Sequence, residues 1–171
     1  MANLNVAILG PEGYAKSLGK PGTTSDITLY NLKREDDTVT FIEPTRYPEK
    51  LAPLFYAVSL ADLAILVVEE IGPAFGECVL MLNCAGVPSG LIILKNYIGH
   101  EEIAPLLKDT LLESYRYVED DPGTLREMLL ELAAAKTVPD HIDTLRTGAV
   151  PVDHAFPVKG IGTVVLGMVS R

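Results

Sequence analysis

Asp153-His-Ala-Phe156-Pro-Val158-Lys-Gly160-Ile-Gly162-Thr163-Val-Val-Leu-Gly167 is the stretch on which the reading of this chain turns. Apolar residues on either side of a glycine-marked turn read as strand, turn, strand. Two strands alone are marginal in water. The segment 150–171 is therefore expected to open a β-barrel or to present an edge to another chain. An unpaired edge invites self-association through these strands.

Upstream, Leu4 to Leu9 is a short apolar run ended by Gly10-Pro11, which predicts a buried first strand. Tyr14 to Leu18 reads as one helical turn, stopped by Gly19 and Pro21. Ile27–Leu32 and Thr38–Ile42 are β-rich runs around the polar turn Lys33–Asp37 and predict an antiparallel hairpin. Helices are expected over Glu49–Val58, Ala74–Ala85 and His100–Leu112, and from Pro122 to about Lys136. The capping box Thr124-x-x-Glu127 is expected to start the last of these. Leu63–Val68, Gly90–Leu94 and Ser114–Val118 read as strands between them. Continuous apolar strands alternating with helices call for an α/β domain with a mostly parallel sheet covered on both faces. The early hairpin supplies one antiparallel edge pair. The polar stretch 137–149 reads as a linker, giving a division of 1–136, 137–149 and 150–171.

Bulk properties narrow the function. The 171 residues carry a net charge of −9, which argues against a broad basic face for nucleic acid. Lys16, Lys20, Lys33 and Arg34 are the exception, a candidate basic patch near the first strand ends. Cys78 and Cys84 lack metal-ligand spacing and read as two buried, reduced thiols. The three histidines are widely spaced. The longest apolar run, Leu63–Val68, is far too short to span a bilayer. No basic-then-apolar leader precedes Val6, so a cytoplasmic location without membrane contact is expected.

Asp153-x-x-Phe156-x-Val158-x-Gly160-x-Gly162-Thr163-Val164-x-x-Gly167 resembles the entry into the second domain of EF-Tu and SelB-type translation factors. The order of the preceding elements is that of Ras-like GTPase domains. Leu18-Gly-Lys-x-Gly22-Thr-x-Ser25-Asp-Ile-Thr28-x-Tyr30-Asn31 is similar to a region of an archaeal SelB-like factor proposed to serve pyrrolysine incorporation. The resemblance implies a G domain followed by a domain-two barrel, with GTP or GDP and Mg²⁺ as cofactors and the ribosome or a tRNA as partners.

The residues meet that implication unevenly. A phosphate loop needs backbone amides, a Lys and a Ser or Thr for Mg²⁺. Gly10-Pro-Glu-Gly13-Tyr-Ala15-Lys16-Ser17 supplies Gly10, Gly13, Lys16 and Ser17, with Ala15 where a second glycine is usual. Only four residues separate Ser17 from Gly22, so the helix that should follow is nearly gone. Either the loop persists in altered form, or it is deleted and Tyr14–Leu18 is what remains of the helix. The second alignment is favoured because it explains the shortness. Under both, Thr24 falls near the switch threonine that meets Mg²⁺, so Ser17 and Thr24 are the candidate metal ligands. Glu43-Pro-Thr-Arg46-Tyr47 stands where the family carries Asp-x-x-Gly-His. Glu43 is a longer acid, Arg46 replaces the glycine, and Tyr47 is a poor orienter of water near pH 7. Lys95-Asn-Tyr-Ile98 stands for Asn-Lys-x-Asp, with Ile98 at the guanine-reading position. Around Ser114 no Ser-Ala turn is evident.

The expected protein is a SelB/EF-Tu-like factor whose G domain has lost most GTP-binding motifs. It would be a binding module in archaeal translation with absent or weak hydrolysis. The rival expectation is an active GTPase or relaxed-specificity NTPase that uses Ala15-Lys16-Ser17.

Overall fold

A computed structural model describes residues 3–136, 150 and 152–167. The expected linker 137–149 lies outside the described residues. The chain divides into two compact units, Met1–Thr137 and Val138–Arg171.

In the first unit, strand β1 (Asn3–Leu9) leads through a 3-10 turn (Tyr14–Ser17) to β2 (Lys20–Thr24), β3 (Ile27–Arg34) and β4 (Asp37–Pro44). Helix α1 (Ala52–Ser59), β5 (Leu63–Val68), α2 (Pro73–Ala85), β6 (Gly90–Leu94) and α3 (His100–Leu107) follow. A second 3-10 turn (Leu111–Ser114), β7 (Arg116–Val118) and α4 (Pro122–Ala135) complete it. The seven strands form one sheet in the order β2-β3-β4-β1-β5-β6-β7. β4, β1, β5, β6 and β7 run parallel, whereas β3 is antiparallel to both β2 and β4.

The two-residue period of a strand splits the core between the faces. Leu4, Val6 and Ile8 of β1 pack with α4 residues Leu125, Leu129, Leu130 and Ala133. Ala7 and Leu9 face α1, α2 and α3 through Leu54, Val58, Leu82 and Ile103. Leu63–Val68 is buried along its whole length, as expected of a central parallel strand. One face is thus covered by three helices, the other by α4 and the Tyr14–Ser17 turn.

Several expectations are corrected. The edge contains two antiparallel pairs, because Lys20–Thr24 adds a strand beyond the hairpin. Pro21 had marked that segment as a stop, but an outermost strand needs no amide on its open side. The helix expected from Glu49 begins at Ala52, with Pro53 in its first turn. The helix expected to reach Leu112 ends at Leu107, where Asp109 turns left-handed at φ 62°. The cap of α4 is Asp121, whose carboxylate accepts from the Gly123 and Thr124 amides; the anticipated Thr124 box is not what starts it. Cys78 is buried, but Cys84 is exposed.

The second unit contains β8 (Val152–Val158) and β9 (Gly162–Gly167), paired antiparallel. Val152, Phe156, Val165 and Leu166 are exposed on it. The expected hairpin is present. Among the described residues no helix is long and apolar enough to cross a membrane.

Candidate functional site

In an open α/β sheet the ligand crevice lies beyond the carboxyl ends of the parallel strands. The sequence-predicted loop, the Glu43–Tyr47 segment and Lys95–Ile98 all follow such ends, after β1, β4 and β6. The fold therefore assembles three segments far apart in sequence along one edge.

Their side chains face one another in an unexpected way. Glu43 is the one buried charged residue among those described, 5% exposed at the end of β4. Its Oε1 accepts a hydrogen bond from the Ala15 amide at 3.3 Å. The amides of Gly13 and Tyr14 also favour its charged form, and the Tyr30 hydroxyl bonds to it. The loop amides that would cradle an anion thus converge on a carboxylate of the same chain. Burial is the larger influence and raises the Glu43 pKa; the three amides pull it back, and Glu12 adds repulsion. Burial, then the charge of Glu43, raises the Tyr30 hydroxyl in turn.

That balance gives a testable pH dependence. A carboxyl raised above its ordinary 4.5 contributes stability that is fully present below that value and lost as pH rises through the folded pKa. The difference in melting midpoint between the natural chain and Glu43→Gln is therefore expected to move against the natural chain from pH 4.5 upward. A difference that stays flat across pH 4.5–7.5 would mean that the amides cancel the burial.

Tyr14 spans the crevice. Its hydroxyl donates to Asp120 Oδ1 at 2.6 Å, beyond β7. Lys95 Nζ stands 5.7 Å from the centre of its ring, and pairs with Glu69 at 3.1 Å and Asp120 at 3.6 Å. Burial, then the bond to Asp120, drives the Tyr14 pKa far above its usual value. Asn96, left-handed at φ 52°, donates Nδ2 to the Glu69 carbonyl at 3.0 Å. Ile98 packs against the apolar cluster on the three-helix face.

The remaining candidates lie apart. Gly10 is left-handed at φ 140° against Val67 of β5, and Gly13, at φ 85°, begins the 3-10 turn. Ala15 is fully buried and its φ is not in the left-handed region, so its β-carbon meets no backbone obstacle. A β-carbon on Gly13 would stand 3.3 Å from Lys16 Nζ, so the lysine folds back over the loop. The Ser17 hydroxyl donates to Tyr14 O at 2.8 Å, within its own turn. Thr24 is exposed on edge strand β2. Arg46 is exposed but keeps the left-handed φ of 57° that a glycine would favour. Tyr47 donates to Ala74 O at 2.8 Å, with Glu77 Oε2 at 3.1 Å and the Cys78 thiol at 3.6 Å. It fastens this segment to α2. Burial pushes the Cys78 thiol up to about 11, which leaves it protonated and unreactive. Among the described residues no cluster of His, Cys, Asp or Glu could hold a metal ion.

Sequence reasoning placed Lys95 in the segment that stands for the guanine motif but gave no site role to Tyr14, Tyr30 or Asp120. A bulky Tyr inside a loop that should leave room for phosphate was the available signal. The pairing of Tyr14 with Asp120, 106 residues away, left no local trace.

Comparisons with known proteins bear on this geometry. The crystal structure of elongation factor SelB from Methanococcus maripaludis, in complex with the GTP analogue GppNHp, matches with a TM-score of 0.73. The match covers 100% of this chain and 42% of that one at 24% identity. The chain has the SelB fold. A bacterial selenocysteine-specific elongation factor, EF-Sec, superposes on 99% of this chain and 34% of its own length, with a TM-score of 0.71 and 20% identity. In sequence, an uncharacterised protein of Methanocaldococcus jannaschii is 34% identical over 171 residues, 99% of this chain and 54% of that protein. The selenocysteine-specific elongation factor of the same organism is 24% identical over 209 residues, 100% of this chain and 44% of the factor. The chain thus spans about half the length of the curated relatives it matches. The 209-residue span exceeds the 171 residues here, so the factor carries residues in this stretch that this chain lacks. No protein-family model matches the chain.

Proposed function

We propose that residues 1–136 are the G domain of a SelB-like translation factor homologue that has lost guanine-nucleotide control and serves as a binding module. In this reading residues 137–149 link it to the start of a domain-two barrel in 150–171. The observation that carries the proposal is Glu43. A buried carboxylate bonded to the loop amides takes the role that a phosphate has in a working loop. A bound phosphate beside it would face both its charge and a set of amides already satisfied. Tyr14 between Lys95 and Asp120 and the packed Ile98 support the reading at the base end. Ser17 spends its hydroxyl on Tyr14 O, which argues against a Mg²⁺ ligand there. A guanine nucleotide and Mg²⁺ therefore fit these residues poorly, and hydrolysis is absent or weak.

The proposed setting is cytoplasmic translation of an archaeal type. The ribosome or a tRNA would be met largely through domains adjoining these residues. Self-association through the exposed strands β8 and β9 is the other contact the reading allows. The rival, an active NTPase, draws on one observation: Lys16 still lies over the loop.

Thermal unfolding with millimolar GTP, GDP and ATP, with and without Mg²⁺, separates the two. The proposal expects no preference for guanine and no Mg²⁺ requirement. A midpoint rise of several degrees with GTP and GDP but not ATP would overturn it, since ligand at a hundred times its Kd stabilises by about 2.7 kcal/mol.

A further inference from the structure

The face of the sheet covered only by α4 and the Tyr14–Ser17 turn carries an open cavity of about 430 Å³. Lys16, Lys20, Lys33 and Arg126 line it, with no acidic residue among the lining side chains. Four of the fourteen lysine and arginine residues of an acidic chain thus border one cavity, the Lys16 amine folding back from it toward Gly13. Among the described residues, no carboxylate lies within ion-pair distance of Lys16, Lys20 or Lys33. Arg34 points away, into an ion pair with Glu127 at 2.9 Å. Arg126 is held in place: its Nε, at 3.2 Å, and its Nη2 both donate to the Ser17 carbonyl.

The arrangement has a topological cause. The chain passes from the turn into edge strand β2 within three residues of Ser17, so no long helix lies over this part of β3. Lys20 on β2, Lys33 on β3 and Arg126 on α4 come from three elements that share no local sequence. Like charges so close repel, and a multivalent anion is what relieves that repulsion. Leu32 and Asn31 are the other β3 residues lining the cavity, and no aromatic ring lines it. A base would have nothing to stack on.

We propose that this cavity is a binding site for two or three linked phosphate groups, recognised by charge and independently of any base they carry. Lys16 and Ser17 border both this cavity and the loop of the crevice at the strand ends, whereas Lys20 and Lys33 line the cavity and take no part in that crevice. The site reads the phosphate chain itself, free or attached to a nucleoside.

Isothermal titration of the full chain with sodium tripolyphosphate, ATP and GTP at about 50 mM salt tests this. Saturable one-to-one binding is expected for all three ligands, with affinities within about three-fold of each other. The double variant Lys20→Ala/Lys33→Ala should weaken each by ten-fold or more. Lys50→Ala/Lys108→Ala, exposed lysines elsewhere, should change nothing. Equal weakening in both double variants, or binding that never saturates, would reduce the effect to net charge and overturn the proposal. Tripolyphosphate binding with ATP and GTP silent identifies free polyphosphate as the source; binding of all three identifies the phosphate chain wherever it is carried. Strong binding of GTP alone, surviving Lys20→Ala/Lys33→Ala, would instead place a guanine nucleotide in the crevice. That result would sink the proposed function as well as this one, whereas loss of tripolyphosphate binding alone leaves the proposed function standing.

Discussion

Gly10→Ala is expected to lower the unfolding free energy by about 3–5 kcal/mol, the sum of backbone strain at a left-handed position and overpacking. Gly10 sits at φ 140°, and an added β-carbon would fall 2.4 Å from the Val67 carbonyl oxygen and 2.9 Å from Val67 Cβ. The oxygen belongs to the backbone of β5, a buried central strand that pairs with β1 from Val6 to Leu9. Relief would require the two strands to part. At about 3–4 °C per kcal/mol for a domain of this size, the midpoint should fall by roughly 10–20 °C. Gly76→Ala, in α2 with nothing within 4 Å of the new carbon, is the matched control and should gain stability by about 0.5–1 kcal/mol. If Gly10→Ala proved neutral in stability, the strand contact would not be what requires glycine. The expected result assigns this glycine, which in sequence resembles the first of a phosphate loop, to packing.

Glu43→Ala should destabilise the chain by about 2 kcal/mol and make it responsive to added anion. Truncation leaves the buried Ala15 amide without its acceptor, and an orphaned buried donor costs about 1–3 kcal/mol. Relief of a carboxylate disfavoured by burial offsets part of that loss. The emptied cradle keeps the Gly13–Ala15 amides and Lys16 folded over Gly13, which is the donor set an inorganic phosphate or sulfate needs. Differential scanning fluorimetry against phosphate, up to about 50 mM, should raise the variant's midpoint by several degrees more than the natural chain's. The comparison is best made with Lys20→Ala/Lys33→Ala in both proteins, so that the basic cavity does not contribute. A variant no more responsive than its parent would mean that the loop closes on itself, and that Glu43 is not a stand-in for phosphate.

Much of the architecture was legible because it follows from local pattern. Leu63–Val68 and Gly90–Leu94 are uninterrupted apolar runs too short for an ordinary helix, which suits strands buried on both faces. Gly86 ends α2 in the left-handed conformation, as a glycine after an apolar helix announces. The polar turn Lys33–Asp37 between two β-rich runs marked the antiparallel hairpin of β3 and β4. Where local signals conflicted, the reading failed. Lys20–Thr24 contains a proline and a glycine and has no apolar period, and it becomes a strand only because β3 offers it an edge. Asp109 ends the third helix in a left-handed turn, a conformation that Asp tolerates better than most residues but that its type alone does not require.

The site was legible as a set of positions and not as an arrangement. From residue types alone, the sequence determined the hairpin at Asp153–Gly167 and raised the expectation that Ile98 reads guanine poorly and that Arg46 and Tyr47 depart from the family's glycine and histidine. By type Glu43 is only a longer acid in place of the family's Asp, because an acid at the end of a strand says nothing about what its carboxylate meets. Only the tertiary structure decided that it meets the Gly13–Ala15 amides, that Tyr14 crosses to Asp120, and that three lysines and Arg126 share one cavity. The physical reason is range. Strand and helix preferences act over a few residues, whereas each of these contacts depends on parallel strands bringing together segments 28 to 109 residues apart.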